Sequence, residues 1–175
     1  MIQMFSAGGL NVWTDGERTP DDSNRHGDYE LERVRKLQTD TSWLNEAKGK
    51  VIKVVTPLVP FLPQECPYRI VFMERDLEEI VASQAKMLDR VGHNGGKLGH
   101  EQLMQALSRQ IQAARSLIQG HQVPVLSVPF PDVLDSPAAV ALRVAEFLHE
   151  GLDVQAMRCI VKPALHRDRR NGAEK

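Results

Sequence analysis

The sequence has two cysteines in 175 residues. Cys66 and Cys159 form no CxxC pair and no framework, which excludes a disulfide-stapled secreted scaffold and suits free thiols in a reducing compartment. There is no excess of either charge: 22 Lys and Arg stand against 23 Asp and Glu, a net charge of −1. That balance argues against nucleic acid as the main partner, whose phosphate backbone calls for a basic surface. No apolar run approaches the ~18 residues of a membrane span. The opening stretch MIQMFSAGGL has neither the basic lead nor the long apolar core of a signal peptide. The six histidines are scattered, none at metal-ligand spacing with a second His, Cys or carboxylate. No metal and no membrane are expected, and the expected location is cytoplasmic.

What is present is ordinary for a globular chain. Hydrophobic residues make up 42% and charged residues 26%. The length suits one domain with a substantial core. One domain over 1–165 is expected, followed by a flexible basic tail over 166–175. Residues 1–7 read as a short apolar helix stopped by Gly8 and Gly9. Leu10 to Trp13 is a short strand candidate, and residues 14–28 are a polar loop. Leu31, Val34 and Leu37 give a weak helical pattern over 29–37. Val51 to Val55 (VIKVV) and Tyr68 to Met73 (YRIVFM) read as buried strands. A helix is expected over 76–91, with Glu78 and Glu79 favoured in its first turn by the helix dipole. A second is expected over 99–119, where Leu103, Leu107, Ile111, Ala114 and Ile118 share a face. Val123 to Val128 is a third strand. Ser136-Pro137 opens a further helix, with Ser as N-cap and Pro as first helical residue. Strands alternating with helices predict an α/β fold around a mostly parallel sheet.

The glycine-rich stretch Gly92 to Lys97 fails as a phosphate loop. Its glycines are spaced one residue short, Leu98 stands where Ser or Thr would hold magnesium, and it follows a helix. The junction YRIVFMERDLEEIVAS says more. It ends a strand on Arg75, turns at Asp76 and enters a helix carrying Ser83. In parallel α/β sheets ligands bind at the carboxyl ends of strands, and a guanidinium is a bidentate phosphate donor. An Arg75–carboxylate pair and a solvated serine are the alternative.

That junction resembles the 3′-phosphate-binding stretch of PAPS-dependent sulfotransferases, a strand, then Arg, then a helix with Ser eight residues on. Upstream, GKVIKVVTPLVPFLP is similar to the strand whose lysine meets the phosphosulfate end of the cofactor; Lys53 is the matching lysine. Downstream, VPVLSVPFPDVLDSPAAVALRVAEFL resembles a family strand with its following helices, through Asp132, Ser136-Pro137 and Phe147-Leu148. The front, GGLNVWTDGERTPDDSNRHGDYELERVRKL, is similar to bacterial members of the superfamily.

The resemblance covers nearly the whole chain and implies a three-layer, P-loop-type fold. It further implies sulfonate transfer from PAPS to a hydroxyl or amine of a small-molecule or other acceptor, without a metal. Arg75, Ser83 and Lys53 are the cofactor-binding candidates.

Two departures stand against it. The glycine loop that binds the phosphosulfate has no counterpart, and residues 1–5 match the helix after it. A fragment, or a natural short form lacking the first strand and loop, is therefore expected, with weak or no binding of PAP. Val55 stands where the family's cytosolic enzymes have a catalytic His, so a base must be a carboxylate: Asp15, Glu17 or Glu30, each alternatively a solvated charge. Lys53 is the candidate to stabilise charge on the bridging oxygen. The end of the chain from 158 carries six basic and two acidic residues, either a cover for the 3′-phosphate or a solvated terminus. The alternative function is a non-catalytic remnant that binds nucleotide phosphate or another protein.

Overall fold

The computed structural model describes residues 1–15, 29–83, 99–120 and 122–161. Two parallel strands lie at its centre, β1 (Ile70–Glu74) and β2 (Val125–Pro129). Their register sets Ile70 opposite Val125 and Glu74 opposite Pro129. The connection between them carries helix α2, described over 77–83, and the long helix α3 (His100–Gly120). A parallel pair needs such a crossover, because a tight turn reverses the chain direction.

Side chains alternate across the strands, and the core divides accordingly. Val71, Met73, Leu126 and Val128 face one cluster, built on Met4, Phe5, Val140, Val144 and Met157. Ile70, Phe72 and Val125 face the other, built on Leu31, Leu37, Trp43, Ala114 and Ile118. The first cluster is supplied by α1 (Ile2–Ala7), α4 (Phe130–Asp135), α5 (Pro137–Leu148) and α6 (Val154–Cys159). The second is supplied by α3 and by three 3-10 helices, Glu32–Lys36, Ser42–Ala47 and Thr56–Phe61. The fold is thus mixed helix and sheet with a small parallel sheet, as the alternation predicts.

Several elements follow from the sequence directly. α1 ends where Gly9 takes a φ of +96°, which a side chain would resist. In α3 the apolar stripe is most deeply buried at Ala114 and Ile118. Asp76 caps α2, its Oδ1 accepting from the backbone N–H groups of Glu78 (2.8 Å) and Glu79 (3.2 Å).

Others differ from expectation. The 31/34/37 stripe belongs to a 3-10 helix, whose three-residue turn superimposes positions three apart. The VIKVV segment forms no ladder. Val51 makes one parallel bridge to Val12, Val55 is 41% exposed, and the segment runs into the third 3-10 helix, which holds Pro57 and Pro60. Proline lacks the N–H a ladder needs, so the stretch that holds them is unsuited to extend the pairing. The strand expected over 10–13 is likewise reduced to that bridge.

Ser136 precedes α5 with Pro137 in the first turn, but its side chain makes no cap bond. Its N–H instead donates to Asp132 O (2.9 Å) and closes α4, which commits its backbone to joining two helices. The short helices α4 and α6 were not foreseen. For α6 a signal was there: Asp153 accepts from the N–H of Ala156 at 2.9 Å, an N-cap three residues ahead. Residues 84–91 of the helix expected over 76–91, the Gly92–Lys97 loop and the tail 166–175 lie outside the described residues.

Candidate functional site

Two of the four proposed catalytic residues, Lys53 and Glu30, meet, and a third, Asp15, is bonded to the segment that carries Glu30. The backbone between 11 and 15 runs parallel to the segment from 51. Trp13 N–H donates to Val51 O (2.9 Å), and Val51 N–H to Asn11 O (2.8 Å). Two residues beyond the Val12–Val51 bridge come Thr14 on one segment and Lys53 on the other.

Trp13 fixes this stretch. It meets Trp43 edge-on, with ring centroids 6.0 Å apart at 75°. The Lys50 ammonium lies 4.0 Å from the Trp13 ring centre, a cation–π contact. Ile52 and Val54 pack into the second cluster. Alternation therefore turns Lys53 to the opposite face.

The segment 29–32 crosses over this pair. Thr14 Oγ1 donates to Glu30 O at 3.1 Å, and Glu32 N–H donates to Asp15 Oδ2. Glu30 Oε1 lies 3.4 Å from Lys53 Nζ, and its Oε2 lies 3.1 Å from an amino group of Arg35. Arg35 also meets Glu32 at 3.2 Å. These neighbours, the Glu30 hydrogen bond first, push the Arg35 guanidinium above its ordinary range and keep it charged. The Lys53 and Glu30 side chains are each about one-third exposed. Glu30 and Lys53 thus form an ion pair, and Asp15 is tied to the same 29–32 segment through the Glu32 backbone. Arg35, which also pairs with Glu30, was missed because a helical arginine gives no sign of its partner. Glu17 lies outside the described residues.

At the carboxyl end of β1, Glu74 and Arg75 separate. Glu74 shares a face with Ile70 and Phe72, and its carboxylate pairs with Arg115 of α3 at 2.7 Å. Arg75 turns the other way, its guanidinium 4.7 Å from the centre of the Phe130 ring just past β2. Among the described residues no carboxylate pairs with Arg75. The alternative of an Arg75–Glu pair is not seen among the described residues, and Glu74 pairs with Arg115. Ser83 is the last described residue of α2 and is half-buried.

A cleft of about 550 Å³ opens beside β2 and α3, floored by Phe72 and Val125 and rimmed by the Glu74–Arg115 pair. No proposed site residue lines it. Among the described residues no group of His, Cys, Asp or Glu is placed to hold a metal, and no helix is long and apolar enough to cross a membrane. Both cysteines are free. Compared with known proteins, the chain matches no protein-family model, no curated protein and no solved structure.

Proposed function

We propose that this chain is a sulfotransferase-like domain of the three-layer P-loop type. The proposed reaction moves a sulfonate from PAPS to a hydroxyl or amine acceptor. The observation that carries this reading is the Lys53–Glu30 ion pair, with Asp15 bonded to the backbone of the same 29–32 segment, residues drawn from three separate stretches of chain.

Sulfonate transfer forms a bond from the acceptor oxygen or nitrogen to sulfur and breaks the bond from sulfur to the bridging oxygen. The leaving PAP takes the electron pair, and the acceptor proton must go to a base. Lys53 supplies positive charge for the bridging oxygen, and Glu30 or Asp15 takes the proton. Arg75 supports the same reading. It ends a parallel strand, its guanidinium lies on an aromatic face, and the edge of that group is the part that grips a phosphate. The capped helix α2 with Ser83 follows it.

The second reading, a non-catalytic module that binds nucleotide phosphate or protein, is favoured by Val55, exposed where the family has its catalytic His. One experiment addresses both. The chain is titrated with PAP and with adenosine 5′-phosphate by NMR, then incubated with PAPS and hydroxyl acceptors. PAP is expected to bind weakly. Arg75→Ala is expected to weaken it about tenfold or more, the worth of a charge-assisted phosphate contact, while adenosine 5′-phosphate binds the two proteins alike. Equal binding of PAP to both proteins would overturn the assignment of Arg75. Acceptor-dependent release of PAP marks the enzyme; its absence with binding intact marks the module.

A further inference from the structure

We infer that Lys53 and Arg35 form a two-cation seat for a divalent oxyanion, with the Glu30 carboxylate as its resident counter-ion. The two Glu30 oxygens are divided between the cations, Oε1 at 3.4 Å from Lys53 and Oε2 at 3.1 Å from Arg35. The oxygens of a carboxylate are spaced much as two oxygens of a sulfonate or phosphate are. A pair of cations that straddles the one is therefore arranged to straddle the other.

The seat is aimed by its surroundings. Arg35 is steadied by its second amino group on Glu32, at 3.2 Å. Glu30 is tied at its carbonyl by Thr14 (3.1 Å), so its side chain moves about an anchored backbone. Arg35 is more than half exposed, whereas Lys53 and Glu30 are about one-third exposed. The approach for a ligand is therefore on the arginine side, and the lysine forms the inner wall.

A divalent anion draws on both cations more strongly than one carboxylate does. Its arrival displaces Glu30, and the released carboxylate stands beside the incoming group. Arrival of the donor would then free the base that the transfer requires. The inference rests on the proposed function for the nature of the ligand, the phosphosulfate end of the donor, whose phosphate and sulfonate carry one negative charge each. It does not rest on it for the seat itself.

The test uses the whole chain and inorganic sulfate, followed by NMR against sodium chloride at matched ionic strength. Glu30→Gln is expected to bind sulfate about two- to fivefold more tightly than the parent, the worth of an exposed ion pair expressed as affinity. Lys53→Ala and Arg35→Gln are each expected to weaken it. No tightening in a folded Glu30→Gln protein overturns the inference. So does unchanged sulfate affinity in Arg35→Gln, whose exposed side chain makes it the variant safest for folding. Arg75 is no part of the seat, so the effect of Arg75→Ala on PAP reports separately on the proposed function.

Discussion

Tyr68→Phe should make this protein more stable. Tyr68 sits just ahead of β1 with its ring against the second cluster. Its hydroxyl is buried and has no hydrogen-bond partner among the described residues. A buried polar group without a partner costs about 1–3 kcal/mol relative to water. Phe keeps the ring and removes the group. Because the residue as a whole is only half-buried, the low end applies, a gain of about 1 kcal/mol. For a chain of this length that raises Tm by about 2–4 °C.

The pH dependence gives a second readout. Burial, and then the charges of Cys66 and Glu65, push the phenol above its ordinary value of 10.0. As pH rises past that value the unfolded chain releases the proton first. It then binds fewer protons than the folded chain, and stability falls with pH. The contribution is whole below the ordinary phenol value and is lost as pH climbs through the raised folded one. The Phe variant lacks this loss, so its advantage should widen above about pH 10. Urea unfolding followed by circular dichroism measures both effects, with an unchanged m value expected. A Phe variant less stable than the parent would show that the hydroxyl has a favourable partner. An advantage that does not widen in alkali would refute the burial argument.

Two further substitutions test the packing and the local electrostatics. A Cβ at Gly8 would lie 2.8 Å from Cγ and 2.9 Å from Sδ of the fully buried Met157. Gly8→Ala should therefore cost about 1–3 kcal/mol in a thermal melt. Combined with Met157→Ala it should cost less than the two singles together, because the new methyl fills part of the cavity. Asp40 Oδ1 accepts from Ser42 Oγ (2.7 Å) and N–H (2.9 Å), which holds its carboxyl below 3.8. A depressed folded pKa gives stability that is present above the unfolded value and lost as pH falls through the folded one. Asp40→Ala should therefore destabilise at neutral pH, with the difference from the parent shrinking as pH falls below the ordinary carboxyl value. A difference that persists in acid would place its origin elsewhere.

Part of the site was legible because its chemistry is local. Arg75, Asp76 and Ser83 stand on one strand–turn–helix junction, and the cap at Asp76 needs only its own next turn. Lys53 is marked only by the resemblance its segment bears to a sulfotransferase strand, and its partner is not marked at all. Glu30, Asp15 and Glu17 were interchangeable carboxylates in a polar stretch. The parallel contact between 11–13 and 51 selects among those described, because it sets Thr14 beside Lys53 and draws the 29–32 segment across them. Arg35 remained invisible, since ion pairing between distant residues leaves no periodic mark.

By itself the sequence determined whatever depends on neighbours a few residues apart. The glycine stop after α1, the α3 stripe, the apolar strands at the centre and the mixed helix-and-strand class all belong there. The tertiary structure alone decided which extended segments pair, because a ladder joins residues far apart in the chain and apolar runs do not name their partners. Val51 to Val55 has the composition of a strand, yet among the described residues it makes one bridge and runs into a 3-10 helix that holds Pro57 and Pro60. The same long-range geometry sends Glu74 to Arg115 on one face and Arg75 to Phe130 on the other. Strand alternation separates two neighbours in the chain and leaves Arg75 without a carboxylate among the described residues.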